Sequence, residues 1–356
     1  MISRRAALGA AAALTFGALL SATPASAEGE LHVLNWQGYG TDEAWALEKF
    51  EAATGIKVVH DYFTSEQEML TKLRTSPGAY DVVLINSTYT QQAIAEGLIQ
   101  PIDTAAVSHF GDLIPAMRDS EYLNADGKTY GVAWVWGMTG IAYNRDAVTP
   151  APDSVEALWD PAYAGKVSLR DDAVEVVSFA AIATGQDMNH PKDLAAIRTK
   201  LLALKPQVKT FWASEDEWNK YFAANQFVLA AYWSGSAARS ATNSGLPVGF
   251  YIPKEGGIGW FDGLSVAAGA PNPDGAAKFI DFMIDPDFYV EWATKVGAPA
   301  SANLKANALL PEGDMGKAIH TDEAAIARLT YMAPLTDEER QSYQDLWAEV
   351  KTELAQ

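Results

Sequence analysis

Residues 30–85 read ELHVLNWQGYGTDEAWALEKFEAATGIKVVHDYFTSEQEMLTKLRTSPGAYDVVLI, and the alternation of patterns in this stretch decides the fold. Glu30 to Asn35 alternates around Leu31 and Val33, and Ile56 to Val59 contains a β-branched run. Tyr80 to Ile85 is largely apolar, as expected of a strand covered on both faces. Between these strands, Thr41 to Ala53 carries Leu47 and Phe50, and Ser65 to Arg74 carries Met69, Leu70 and Leu73 at helical spacing. Strand, helix, strand, helix, strand predicts a parallel sheet with right-handed crossovers.

The same alternation returns further along. Lys166 to Leu169 and Phe227 to Trp233 read as strands, with helices over Ala173–Thr184, Pro191–Leu204 and Ser214–Ala224. Val248 to Ala267 reads as extended around a Lys254-Glu255-Gly256-Gly257 turn, and Asp274 to Ile284 is a helix with one apolar stripe. No Ser/Gly-rich linker separates the two regions. We therefore expect an α/β protein of two similar lobes, each a mainly parallel sheet flanked by helices. Its ligand cleft should lie between the lobes, at the carboxyl ends of the strands.

At 356 residues the chain is long enough for about two cored domains. Met1 to Ala27 is set aside as a signal peptide: Arg4 and Arg5 are followed by the uncharged run Ala6–Leu20 and by Ala25-Ser26-Ala27 as a cleavage site. Removing the two arginines takes the net charge from −19 to −21. Such an acidic surface repels phosphate, so nucleic acid is not an expected partner. The absence of cysteine excludes disulfides, thiolate catalysis and Cys-type metal sites. The five histidines are scattered, and no GxSxG elbow, P-loop or dinucleotide fingerprint occurs, so we expect neither metal nor cofactor. Carboxylate pairs beside aromatic platforms leave glycoside hydrolysis as the one enzyme class to weigh.

The conspicuous aromatic and acidic residues fall where strands end. Trp36 and Tyr39 follow the first strand, and Ser87 and Tyr89 the third. Asp172 and Glu175 follow the first strand of the second region, Trp233 closes the next, and Trp260 and Asp262 lie in the late crossing. Ring faces attract an ammonium by ~0.5–2 kcal/mol each, and carboxylates fix its ends by charge-assisted hydrogen bonds. Each cluster also has a plain structural reading. Asp172 and Glu175 fit a capping box, Ser87 fits a helix N-cap and Trp233 fits the core. Trp134 and Trp136 read as packing of the hinge, and Trp45, Trp159, Trp218 and Trp347 as packing within helical or turn patterns.

These residues resemble the periplasmic spermidine/putrescine-binding receptors of ABC importers over nearly the whole mature chain. The likeness is carried by Asn35-Trp36-x-x-Tyr39, Ser87-Thr88-Tyr89, Trp136-Gly137-x-x-Gly140, Asp171-Asp172-Ala173-x-Glu175, Trp233-Ser234-Gly235-Ser236 and Pro253-Lys254-Glu255-Gly256-Gly257-x-x-Trp260-x-Asp262. It implies a type II periplasmic solute-binding fold. Lobe 1 would comprise residues 28–137 plus 263–303, and lobe 2 residues 138–262 plus 304–356. It also implies that Trp36, Tyr39, Tyr89, Trp233 and Trp260 line an aromatic channel. Asp262 would hold one amine, Asp172 with Glu175 the opposite end, and Ser87 would make a polar contact. Two departures stand out: Ala298 occupies a place where relatives commonly carry an aromatic, and Ser236 one where some putrescine receptors carry an acid. The expected protein is a monomeric, periplasmic, non-enzymatic receptor for a small cationic amine, delivering it to an inner-membrane ABC permease. Arg170 and Arg239, which flank two of the clusters, make an amine zwitterion such as an ω-amino acid the nearest alternative, with a secreted glycoside hydrolase after it.

Overall fold

The computed structural model describes residues 29–355. The signal-peptide assignment to residues 1–27 lies outside them. The opening strand Glu30–Asn35 pairs in parallel with Lys57–Tyr62 on one side and Val82–Asn86 on the other. Crossover helices Ala44–Thr54 and Glu66–Thr75 connect the three, and Ser87–Ala95 follows. Their ends follow local chemistry. Gly55, at φ 74°, closes the first helix by donating its N–H to the Glu51 carbonyl. Ser65 caps the second by accepting from the Glu68 N–H. The third is capped by Asn86, which accepts from the Thr88 N–H, and Ser87 is already the first helical residue. The N-cap assigned to Ser87 is thus corrected by one position, because the Asn86 carboxamide reaches the orphan donor first.

The two regions share one mixed sheet. Its main path runs Lys57–Tyr62, Glu30–Asn35, Val82–Asn86, Gly257–Ala267, Val132–Asn144, Leu229–Trp233, Val167–Arg170 and Val208–Trp212. The two long strands at its centre, Val132–Asn144 and Gly257–Ala267, are antiparallel and pass from one lobe into the other. Their register shifts between Asp262 and Gly263, so that Asp262 faces Val135 while Gly263 faces Ala133. This bulge leaves Trp134 without an opposite number and turns the strand where the lobes meet. The extended stretch expected over Val248–Ala267 is two strands, Val248–Tyr251 and Gly257–Ala267, separated by the turn at Lys254 and Glu255.

Separate cores sit on either side of the crossing. Leu31, Val33, Phe50, Leu84, Trp134 and Phe279 belong to the first. Val167, Leu169, Val177, Leu229 and Trp347 belong to the second, and Trp212, Trp218, Phe222 and Tyr232 form a smaller aromatic cluster beneath it. Trp134 and Trp136 are buried, their indole N–H groups donating to the carbonyls of Met283 and Ser301, as packing residues should. Ala306, Leu310 and Ala325 pack in the first core, and Tyr343, Leu346 and Val350 in the second. The final helix, Asp337–Leu354, opens with a Thr336/Glu339 capping box and lies against the Ala173–Ala183 helix. Asp171 pins it there, accepting from Trp347 Nε1 at 2.9 Å and from Lys351 Nζ at 2.8 Å.

Candidate functional site

The loop after the first strand is folded by Asn35. Its buried carboxamide accepts from the Trp36 N–H at 2.7 Å and donates to Thr41 Oγ1 at 2.7 Å. Gly40, at φ 81°, lets this loop pass over Trp292, where a Cβ would come within 2.4 Å of the indole. The result aims the Tyr39 hydroxyl at Asp262 Oδ2, 2.9 Å away. Asn86 Nδ2, from the end of the third strand, donates to the other Asp262 oxygen at 2.8 Å. Trp36 is half-buried with its ring 4.6 Å from that of Phe63.

Asp262 is 7% exposed, and burial raises its carboxyl pKa to about 6 against the hydrogen bonds from Tyr39 and Asn86. Burial, and then Asp262 itself, also push the Tyr39 hydroxyl well above its ordinary value. A further carboxylate stands beside this group. Glu66, the first residue of its helix, has a buried Oε2 with no hydrogen-bond partner, and burial followed by repulsion from Asp262 raises its pKa to about 8. The Asn86 backbone N–H and Arg340 only partly offset this. Two neighbouring, poorly solvated carboxylates favour a cation between them or a retained proton.

A second acidic group lies across the cleft. Asp172 caps the Ala173–Ala183 helix, accepting from the Glu175 N–H at 2.9 Å. This is half of the expected capping box. The Glu175 carboxylate does not turn back to complete it but accepts from Arg170 Nη1 at 3.0 Å. The same Nη1 is 3.6 Å from Asp172, and the guanidinium carbon lies 4.6 Å from the centre of the Trp233 ring. Burial lifts the Glu175 pKa to about 7, with the Arg170 charge opposing that rise.

Tyr89 stands between the two acidic groups. Its ring carries the Arg340 guanidinium at 4.5 Å, and its hydroxyl accepts from Arg340 Nη1 at 2.6 Å. Burial raises the Tyr89 pKa; Arg340 opposes the rise, and Glu66 and Asp172 add to it. Trp260 faces Gly137 across the central strand pair, and its ring occupies the space a Cβ would need: that atom would lie 2.4 Å from Trp260 Cζ2. This is the physical content of glycine in the Trp136-Gly137 motif. Ser87, at 1% exposure, is buried in the first turn of its helix.

The two departures have structural counterparts. The acid missing at Ser236 arrives from another helix, where Glu215 accepts from Ser236 Oγ at 2.6 Å and from Arg239 Nη2 at 2.6 Å. Arg239 also packs against the Gly297–Ala298 segment, where a Cβ on Gly297 would come within 2.6 Å of Arg239 Cγ. The structure thus gathers Tyr39 with Asp262, and Asp172 with Glu175 and Trp233. It adds Glu66, Asn86, Glu215 and Arg340, which sequence reasoning missed. Glu66 had a usable signal, because it follows the second strand as the other clusters follow theirs. Arg340 had none, since it enters from the far end of the chain. Among the described residues no helix is long and apolar enough to cross a membrane.

Comparison with known proteins agrees with this architecture. Residues 45–325 match the family model of bacterial extracellular solute-binding proteins. The spermidine/putrescine-binding periplasmic protein of Escherichia coli K12 is 36% identical over 322 residues, covering 89% of this chain and 90% of its own. The spermidine/putrescine ABC transporter substrate-binding protein PotD of Streptococcus pneumoniae superposes with a TM-score of 0.81 at 26% identity, over 92% of this chain and 99% of that one. A putative spermidine/putrescine ABC transporter protein of Listeria monocytogenes gives 0.78 at 30% identity, over 90% and 98%. This is a family of binding proteins and not of enzymes, so the hydrolase reading falls away. The chain belongs to the bacterial extracellular solute-binding proteins, alongside the periplasmic spermidine/putrescine-binding members of that family.

Proposed function

We propose that this protein is a periplasmic receptor that captures a linear polyamine of the putrescine/spermidine class and delivers it to an inner-membrane ABC permease. The observation that carries this reading is the Asp262–Glu66 pair, a buried carboxylate beside a half-buried one whose enclosed Oε2 has no donor. An ammonium supplies the missing charge and three donors at once. Tyr39, Tyr89, Trp36 and Trp260 then offer ring faces to the methylenes and to the cation. Ser87 shapes the first-lobe edge from its buried position. The lobes close on the ligand by rotation about the two long strands, and the closed face docks on the permease.

The arginines speak against the zwitterion. Arg170 is paired with Glu175 and Arg239 with Glu215, so both arginines that flank the clusters in sequence are already matched by a carboxylate; Arg340 meets only the Tyr89 ring and hydroxyl, with its buried Nε unpartnered. The test is calorimetry with putrescine, spermidine and γ-aminobutyrate on the mature protein, alongside its melting temperature. Saturable binding of a polyamine is expected. Silence with every polyamine at millimolar concentration, or tighter binding of the amino acid, would sink the proposal.

A further inference from the structure

We infer that Arg170 sets the length of the ligand: its guanidinium occupies the far end of the cleft as the terminal ammonium of a long polyamine would, leaving a site for a diamine. This deepens the polyamine reading and rests on it. The far end offers a cation the face of Trp233 and the carboxylates of Asp172 and Glu175. Arg170 takes all three, at 4.6 Å from the ring centre, 3.6 Å from Asp172 and 3.0 Å from Glu175. It is also 6.0 Å from the Trp212 ring, so a second indole lies close to the same cation.

The guanidinium is not free to swing away. Arg170 ends a strand whose register places it opposite Trp212. The next residue, Asp171, is held by Trp347 and Lys351 of the C-terminal helix. Glu175 is only 6% exposed, and without Arg170 its charge would be buried and uncompensated. Leaving the cleft would therefore strand both partners, and an incoming ammonium would have to displace an ion pair that is already made.

Charge arithmetic points the same way. Asp172, Glu175, Asp262, Glu66 and Glu215 are opposed in and around the cleft by Arg170, Arg239 and Arg340. With every carboxylate ionised, as a bound cation favours, five carboxylates against three guanidiniums leave two negative charges, the complement of a dication. A triamine would bring one positive charge too many and one ammonium with no place to go.

The experiment is calorimetry of the mature protein with putrescine, cadaverine, spermidine and spermine, on the wild type, Arg170→Ala and Arg170→Lys. The wild type should favour the diamines over spermidine. Arg170→Ala should move the spermidine-to-putrescine affinity ratio toward spermidine by about tenfold or more, and Arg170→Lys should keep the wild-type order. Wild-type preference for spermidine over the diamines overturns the inference, whether or not the alanine variant folds. So does an unchanged ratio in an Arg170→Ala protein with the wild-type circular dichroism spectrum. Failure of the wild type to bind any amine overturns the polyamine reading, and this inference with it. Amine binding with an unchanged ratio overturns this inference alone.

Discussion

Replacing Asp262 with asparagine should move ligand affinity and protein stability in opposite directions. The carboxylate accepts from Tyr39 and Asn86 and is almost fully enclosed. Asparagine keeps the shape and one acceptor oxygen but loses the charge and opposes a second donor. Truncating one side of a buried charge contact costs about 2–5 kcal/mol, which is a loss of roughly 30-fold to several thousandfold in amine affinity. The unliganded protein should respond the other way. A carboxyl held at about 6 instead of 3.8 stabilises the fold fully below its ordinary value, and that contribution disappears as pH rises through 6. At pH 8 the ionised group therefore costs the fold roughly 3 kcal/mol, which asparagine does not pay. A lost acceptor returns about 1 kcal/mol. The net is about 2 kcal/mol of stabilisation, seen as a melting temperature higher by a few degrees at pH 8 and little changed at pH 4. Calorimetric titration with putrescine and scanning calorimetry at both pH values check the two halves. Amine affinity unchanged within about threefold, or a lower melting temperature at pH 8, would refute the reasoning.

Three further outcomes are expected. With Asp262, Glu175 and Glu66 raised to about 6, 7 and 8, the stability of the unliganded protein should fall as pH climbs from 5 to 9. Glu66→Gln should flatten the upper part of that slope and saturating diamine should reduce it; a melting temperature that is flat across this range, or a slope Glu66→Gln leaves untouched, contradicts the cause given. Gly137→Ala places a methyl 2.4 Å from Trp260 Cζ2, so the indole must move, at a cost of about 1–3 kcal/mol and with weakened amine binding; unchanged melting and affinity would show that Trp260 does not depend on the glycine. Ser234 accepts from the Met138 N–H at 3.1 Å and meets His320 Nε2 at 2.8 Å, fully buried. Ser234→Ala should destabilise by about 1–3 kcal/mol for the unpaired groups, with diamine affinity held within about threefold; a stable variant would show that the pair is not structural.

The elements were largely legible because each carried its own periodicity. The strand at Glu30–Asn35 was found at its true bounds, and the helix at Ala173 ended within a residue of Ala183. What pattern does not carry is which strands are neighbours. The shared sheet and the bulge at Asp262 arise from pairing between residues more than a hundred positions apart, and no local signal announces it. The site divided the same way. Acids and aromatics at strand ends were visible, and Tyr39 does meet Asp262 across 223 positions. Their partners were not. Arg170 was seen only as a neighbour in sequence, although its guanidinium lies on Trp233, and Arg340 reaches Tyr89 from 251 residues away. A side chain of five or six rotatable atoms has a reach that spacing does not encode, so the occupant of an acidic pocket is fixed only once the backbone is in place.

The register shift at Asp262 places one anchor of the cleft at the pivot proposed for closure. A group at a pivot travels least when two bodies rotate about it, and Tyr39 and Asn86 hold Asp262 from one side only. That anchor is fixed. Asp172, Glu175, Arg170 and Trp233 lie on the other lobe, away from the axis, and form the anchor that swings. Rotation about Asp262 leaves its distance to those groups unchanged, so the span between the two anchors is the same before and after closure and a ligand is measured as it enters. A permease touching both lobes would then sense that the cleft has closed, not the length of what closed it.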